Sequence, residues 1–476
     1  TLQLIFLGAQ PNAEFEPNMT ELAIVGAGPA GLMAAWQAAK AGHEVTVYEK
    51  THAVGGMSGS FTIAGQRVDF GSHRLHPSTP PHLLEALTSL LGDDIQIRER
   101  NGRIRLYDKW VAFPLRTTDL IRHLPPKFSI GSAMDIIRRP FLDTSGDTFE
   151  DEVRRRLGKT VSDEFYSPYA EKLWGIHPRE IDGELARRRV SASSPLAIIK
   201  RLIRSSSPTG RTFLYPKNGY GQIVEALADA VINAGGKIEL EFPIEQIALE
   251  KDSCILKSPK GDRTAQLAWT TAPLSALPKM IKPEPSQEIV QAAASLRIRG
   301  MLLVYLVLDQ SQFTEYDAHY FPGLETRIAR LSEPKNYRDG ADPENQTVLC
   351  AELPCWTTDS IWSATPDELG EIVRSDLMNL GLPQVNLVTT EVRKLPFVYP
   401  VFEKSTRHER EVLLNWGNTF TRVLSFGRQG LIVPDNIHHT LAMGWDAAQS
   451  LKANGDFDNA QWGQALSRFE HHVVED

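Results

Sequence analysis

The chain has 476 residues, of which 42% are hydrophobic and 8% aromatic, and it carries a formal net charge of −8. That length exceeds one ordinary core and points to two interleaved domains, while the composition excludes a disordered chain. The acidic balance argues against a nucleic-acid-binding protein. Three cysteines, Cys254, Cys350 and Cys355, form no CxxC pair and fit reduced thiols in a cytoplasmic protein. No apolar run is long enough to span a bilayer. Residues 1–18 read as an upstream tail without function, because Met19 stands directly before the first strand.

Leu22 to Val25 form the short apolar run that a buried parallel strand needs. Gly26, Gly28 and Gly31 follow as G-x-G-x-x-G, with Pro29 and Ala30 between the last two. In such a turn the first glycine permits the bend and the second lets backbone N–H groups approach a pyrophosphate. The third lets the next helix pack on its strand. That helix is expected from about Pro29 to Ala41, with Gly42 as its stop. A second strand, Val45 to Tyr48, ends at Glu49-Lys50. Glu49 lies about twenty residues past the first glycine, where a carboxylate takes the ribose hydroxyls of an adenosine; Glu44 comes too early. Glu49 favours a free ribose over a 2′-phosphate but does not separate FAD from NAD. The loop Gly55-Gly56-Met57-Ser58-Gly59-Ser60 follows at once and suits the longer diphosphate and ribityl chain of FAD.

This arrangement of strand, glycines, helix, acid and second glycine loop resembles the FAD-binding superfamily of amine oxidases, protoporphyrinogen oxidases and UDP-galactopyranose mutases. The resemblance implies an α/β fold, in which a Rossmann-type FAD-binding domain interleaves with a substrate domain of mixed sheet and a helical cap. Residues 19–115, 211–280 and 421–476 are read as the three FAD-binding parts, 116–210 as the cap and 281–420 as the substrate domain.

The next strand ends in the turn Gly71-Ser72-His73-Arg74-Leu75-His76, and the resemblance sets Ser72 and His73 beside the isoalloxazine, with His76 a further candidate. His82 to Leu91 reads as a helix and Ile95 to Val111 as a hairpin. Trp110 to Leu115 looks like the segment by which the family leaves the FAD domain. A helical block follows from Ile130 to about Arg204. Within it, Tyr169-Ala170-Glu171-Lys172-Leu173-Trp174-Gly175 resembles the mutase phrase in which Tyr169 and Trp174 line the substrate pocket. In the Arg187-Arg188-Arg189 triplet, Arg188 falls where the mutases set an arginine on the substrate diphosphate, a role suited to the guanidinium fork. Pro195 to Arg204 alternates apolar and basic groups and offers a weak case for peripheral membrane contact. Ser205 to Gly210 reads as a hinge.

A "yPkgG"-like turn at Tyr215 to Gly219 precedes a helix over Gln222 to Ala234, and strands are expected over Lys237 to Leu240 and Ile244 to Leu249. The resemblance packs Ile244 on the adenine and returns the chain to the Rossmann sheet at Ala268 to Pro273, with Thr271 at the cofactor. Arg299, ahead of the strand Met301 to Leu308, falls near the second diphosphate arginine. Leu395 to Pro400 resembles the family's "AYP" turn and offers Tyr399 to the site. A strand from Leu424 ends at Gly427-Arg428, and His438-His439-Thr440 opens a helix whose free N–H groups would face the flavin pyrimidine. The two histidines have no third metal ligand at suitable spacing, so no metal is expected. All cysteines precede this last motif, which suits non-covalent FAD.

Where mutases follow Gly–Arg with two tyrosines, this chain has Ile432 and Pro434. The favoured reading is therefore a protoporphyrinogen oxidase-like FAD oxidoreductase that moves hydride from a small-molecule substrate to flavin N5, with oxygen or NAD(P) as acceptor. The alternative is a nucleotide-sugar mutase without net redox change.

Overall fold

The computed structural model describes residues 19–115, 119, 122–138, 146–190 and 212–474. The tail at 1–18, the basic stretch at 195–204 and the hinge at 205–210 lie outside the described residues.

The molecule is mixed α/β, with one parallel sheet and one large mixed sheet. The parallel sheet has five strands in the order Val423–Ser425, Leu267–Thr270, Glu21–Val25, Glu44–Tyr48 and Lys237–Glu239. Its central strand buries Leu22, Ala23 and Ile24, because helices cover one face and a four-stranded sheet with its helices lies beyond the other. The helix Pro29–Lys40 packs against the helices Gln222–Asn233 and Ile437–Gln449. Alanine at 30, 34, 35, 38 and 39 lets these helices approach closely.

The mixed sheet has seven strands in the order Leu387–Pro400, Ile298–Leu308, Thr347–Cys355, Arg330–Ser332, Ala318–Tyr320, Gly102–Leu106 and Lys109–Phe113. Two sequence expectations change here. The stretch from Ile95 is not one hairpin: Ile95–Glu99 pairs with Thr212–Pro216, and only Gly102–Leu106 with Lys109–Phe113 closes a tight turn. Tyr107 and Asp108 supply that turn at φ +50° and +58°. Asn101 breaks the run because its backbone N–H donates to Asp317 Oδ2 and its amide to the Glu315 carbonyl. The second change is at Leu395 to Pro400, which continues an edge strand rather than turning. Pro396 and Pro400 are tolerated there because an edge strand leaves one side of its ladder unpaired.

Between the sheets stands the helical block, with Phe149–Leu157, Ser167–Trp174 and Gly183–Arg189. Thr148 and Asp151 form a capping box at its start. No helix among the described residues is long and apolar enough to cross a membrane.

Candidate active site

The glycine turn is fixed by close approach. A Cβ on Gly31 would lie 2.0 Å from the Gly26 carbonyl oxygen, so only glycine allows the helix to pack here. A Cβ on Gly28, in contrast, would meet nothing within 4 Å, leaving an open space at the helix N-terminus. Pro29 and Ala30 begin that helix, which no side chain caps. Glu49 is buried at the end of the second strand, where its carboxylate accepts from the Ala27 N–H at 2.9 Å and from Thr51 N–H at 3.0 Å. It thus holds the glycine turn in shape, while Lys50 beside it is exposed. Gly55 donates to the Ala27 carbonyl at 2.8 Å, and Gly56–Ser58 forms a short turn facing Gly28. Thr271 leans on Gly26, its hydroxyl donating to the Val25 carbonyl at 3.1 Å. Ile244 is buried in the loop before Gln246–Leu249.

At the far end of this cradle, Gly427 lies against Ala30, and Arg428 reaches Met57 Sδ at 3.9 Å. The helix Ile437–Gln449 starts here without a side-chain cap from Asn436. His438 is buried, His439 half-buried, and the Thr440 hydroxyl donates to the Asn436 carbonyl at 3.0 Å. Two uncapped helix starts, an open glycine and a half-buried arginine fit an anionic cofactor stretched along this cradle.

The turn after Phe70 joins the cradle to the mixed sheet. Ser72 donates its N–H to Glu352 Oε1 at 2.8 Å and shares a short hydrogen bond with the Tyr337 hydroxyl. His73 bonds the Phe70 carbonyl at 2.9 Å and stacks on Tyr220. Burial pushes its imidazole below the usual range, opposed by Asp69 and Glu352, so His73 stands neutral near pH 7. Glu352 also receives Arg330 in a two-pronged pair at 3.0 and 2.9 Å. Burial alone would lower Arg330; the Glu352 carboxylate, helped by Tyr320, Tyr399 and Tyr169, holds it above its ordinary value. His76 sits outside this network, bonded to the Ser78 hydroxyl at 2.7 Å and 6.2 Å from the His438 ring.

Beyond Arg330 two more guanidinium groups face Tyr399, and a third arginine stands opposite it in the sheet. Arg299 is its cross-strand partner, and Arg189 and Arg428 each lie 5.7 Å from its ring. Trp174 contacts Tyr399 at 6.4 Å and Arg189 at 5.4 Å, with Phe149 behind it. Arg299 rests on the Trp356 ring at 4.7 Å and fills the space under Gly175, where any Cβ would strike its guanidinium. Tyr169 stacks on Phe165 at the edge of the cluster. None of Arg189, Arg299 and Arg428 forms an ion pair with a described carboxylate, and each has a buried Nε without a hydrogen-bond partner among the described residues. Burial lowers the affinity of Arg299 and Arg428 for their protons, and for Arg428 the neighbouring Arg189 adds to this.

The structure thus brings together Tyr169, Trp174, Arg299, Tyr399 and Arg428, but not Arg188. Arg188 faces the other way, pairing with Glu184 at 2.9 Å and donating to the Phe469 carbonyl at 3.0 Å. One residue of helical phase separates the two roles. The Glu184–Arg188 spacing of four residues was the available signal that Arg188 was already engaged. Trp356 and the Arg330–Glu352 pair went unseen because they come from strands far from any glycine motif.

Known proteins share the sequence pattern and the fold of this chain. A family model described as flavin-containing amine oxidoreductase matches residues 29–413. A probable UDP-galactopyranose mutase from Klebsiella pneumoniae is 24% identical over 246 residues, 48% of this chain and 58% of that protein. A putative flavin-containing monoamine oxidase from Mycobacterium tuberculosis is 34% identical over 122 residues, 26% of this chain and 25% of its own length. The chain therefore spans less than two thirds of either relative. Among solved structures, a reduced UDP-galactopyranose mutase superposes with a TM-score of 0.79 at 20% identity, covering 96% of this chain and 100% of that one. A putative protoporphyrinogen oxidase from Exiguobacterium gives 0.71 at 18% identity, covering 90% and 98%. At such identities the likeness speaks for the fold.

Proposed function

Because the chain belongs to the flavin-containing amine oxidoreductase family, we propose that it is a non-covalent FAD enzyme that takes hydride from an organic anion. The observation that carries this is the set of three arginines, Arg189, Arg299 and Arg428, gathered beside Tyr399 and Trp174 with no ion pair to a carboxylate among the described residues. Arg299 is buried and Arg189 and Arg428 half-buried, and charge withdrawn from water is costly unless paired, so these groups call for an anion from outside. A protonated alkylamine would be repelled by the same three charges, which argues against simple amine oxidation.

Gly28, Glu49, Gly56, Arg428 and the start of the helix at Ile437 would hold the FAD. When bound, the flavin supplies the two-electron acceptor that the protein lacks. The chain's own groups do the rest. Arg189, Arg299 and Arg428 bind and orient the substrate's phosphate or carboxylate oxygens. Trp174, Trp356 and Tyr399 give flat walls that exclude water. His73, held neutral and anchored to Phe70, offers a polar edge without adding charge.

A second reading, rearrangement of a nucleotide sugar without net redox change, is favoured by the same guanidiniums, since a departing diphosphate needs paired donors. An anaerobic absorbance titration of the FAD-loaded protein separates the two. Hydride removal predicts bleaching of oxidised flavin by an anionic substrate, one two-electron equivalent per substrate. Rearrangement predicts turnover of a sugar diphosphate only by pre-reduced protein, with no electrons consumed. A protein that refuses FAD, or one bleached by alkylamines but by no anion, would sink the proposal.

A further inference from the structure

Behind the helix that opens at Ile437, three elements meet at a cluster that the reaction proposed above does not use. Asp435 ends the loop after Gly427-Arg428, and His439 follows four residues later on the first helical turn. His472 arrives from the tail beyond the helix Asn459–Phe469. Asp435 Oδ2 is 2.6 Å from His472 Nδ1 and 3.9 Å from His439 Nδ1. The two imidazoles stack with centroids 4.0 Å apart and planes 14° from parallel. One ligand atom from each residue lies within 4.8 Å of the other two.

Two features go beyond a chance ion pair. The Asp435 side chain is fully buried, yet its second oxygen, Oδ1, has no hydrogen-bond partner among the described residues. A buried carboxylate in that state is costly unless a cation shares it. Further, both stacked rings turn Nδ1 toward the same carboxylate, at 2.6 and 3.9 Å. Two neutral imidazoles and one carboxylate around a common centre form a ligand set of the kind that zinc takes.

We propose that Asp435, His439 and His472 form a site for a divalent transition metal of the zinc class, which ties the C-terminal tail to the start of the helix beside the cofactor cradle. A zinc ion roughly 2.1 Å from each ligand needs its ligand atoms about 3.4 Å apart, and they now lie within 4.8 Å of one another, so the triangle contracts by at most about 1.4 Å. His472 can supply that movement from the tail. On binding, zinc takes the Nδ1 lone pair of His472 in its neutral Nε2–H form, so the hydrogen bond between that nitrogen and Asp435 is given up. The tail is already positioned for this: Val474 donates to the Arg188 carbonyl at 2.7 Å, and Arg188 donates back to the Phe469 carbonyl. Arg188 thereby acquires a role at the tail in place of the one the sequence suggested.

Zn2+ alone, titrated by calorimetry into the chelator-treated, FAD-loaded protein, tests the assignment. The expected result is one saturable equivalent per chain and a Tm that rises with zinc. His472→Ala should weaken that binding by about tenfold or more. His471→Ala, which alters only an exposed neighbour bonded to the Ser467 carbonyl, should leave it unchanged. The proposal is overturned if the wild type binds no zinc saturably, in which case the cluster holds a proton only. It is equally overturned if His472→Ala binds as tightly as the wild type. Loss of FAD uptake or turnover bears on the proposed function instead, because neither readout requires flavin chemistry.

Discussion

The cofactor cradle and the guanidinium cluster sit side by side but are made of different material. The cradle is backbone: a glycine without a Cβ, two uncapped helix starts, and one carboxylate that shapes the turn. Its parts follow each other within some forty residues, apart from the closing loop at Gly427. The cluster is side chains, delivered by Trp174, Arg189, Arg299, Trp356, Tyr399 and Arg428 from six separate stretches. Backbone sites constrain sequence locally and survive changes of substrate. Side-chain sites depend on tertiary placement and change by a single residue of phase. The fold can therefore keep one cofactor while its substrate varies.

The largest effect expected from breaking this contrast lies within the glycine turn itself. Gly31→Ala sets a methyl 2.0 Å from the Gly26 oxygen, a backbone atom that cannot move away without unseating the helix. We expect a loss of at least ~3 kcal/mol in the apo-protein, seen as a lowered denaturant midpoint, with FAD binding lost as a consequence. Gly28→Ala meets open space, so the apo-protein should unfold as the wild type does, while FAD binding weakens about tenfold or more. Equal destabilisation by both would show that the open space at Gly28 belongs to packing and not to a ligand.

That local logic explains what could be read from the sequence. Gly26, Gly28, Gly31 and Glu49 are legible because the backbone conformations they permit are written in consecutive letters. Arg189 was missed because a triplet of arginines gives no phase, whereas the structure buries Arg188 against Glu184 and turns Arg189 to Trp174. Tyr399 was expected in a turn because Pro396 and Pro400 flank it, and only the sheet order reveals an edge strand that accepts them. The meeting of Asp435 and His439 with His472 spans 37 residues and two helices, a separation at which spacing rules say nothing.

A smaller effect, still easily measured, tests the cluster at that single residue of phase. Arg189→Ala removes charged donors that form no ion pair with an acid among the described residues. Binding of the anionic substrate should weaken tenfold to a hundredfold, ~2 kcal/mol, with Tm nearly unchanged. Arg188→Ala should do the reverse: it breaks the Glu184 pair and frees the tail, costing about 2 kcal/mol of stability while leaving substrate affinity intact. Parallel losses in both variants would mean that the cluster is packing, and that its charges are neutralised by something other than substrate.

The smallest effect belongs to His73, where backbone site and side-chain site touch. Burial lowers its pKa from 6.5, against the pull of Asp69 and Glu352 and with Arg330 acting alongside burial. Between that lowered value and 6.5, the unfolded chain binds a proton that the folded one does not. Folding stability therefore falls as pH drops below 6.5 and levels off once the folded imidazole titrates. His73→Asn keeps a polar contact for the Phe70 carbonyl but has nothing to protonate. Urea unfolding at about pH 7.5 and about pH 5.5 should show the wild type losing more stability than the variant over that interval. Identical losses would mean that the folded imidazole titrates freely, and the joint between cradle and cluster would then be a wet surface instead of the dry wall that a shared reacting centre requires.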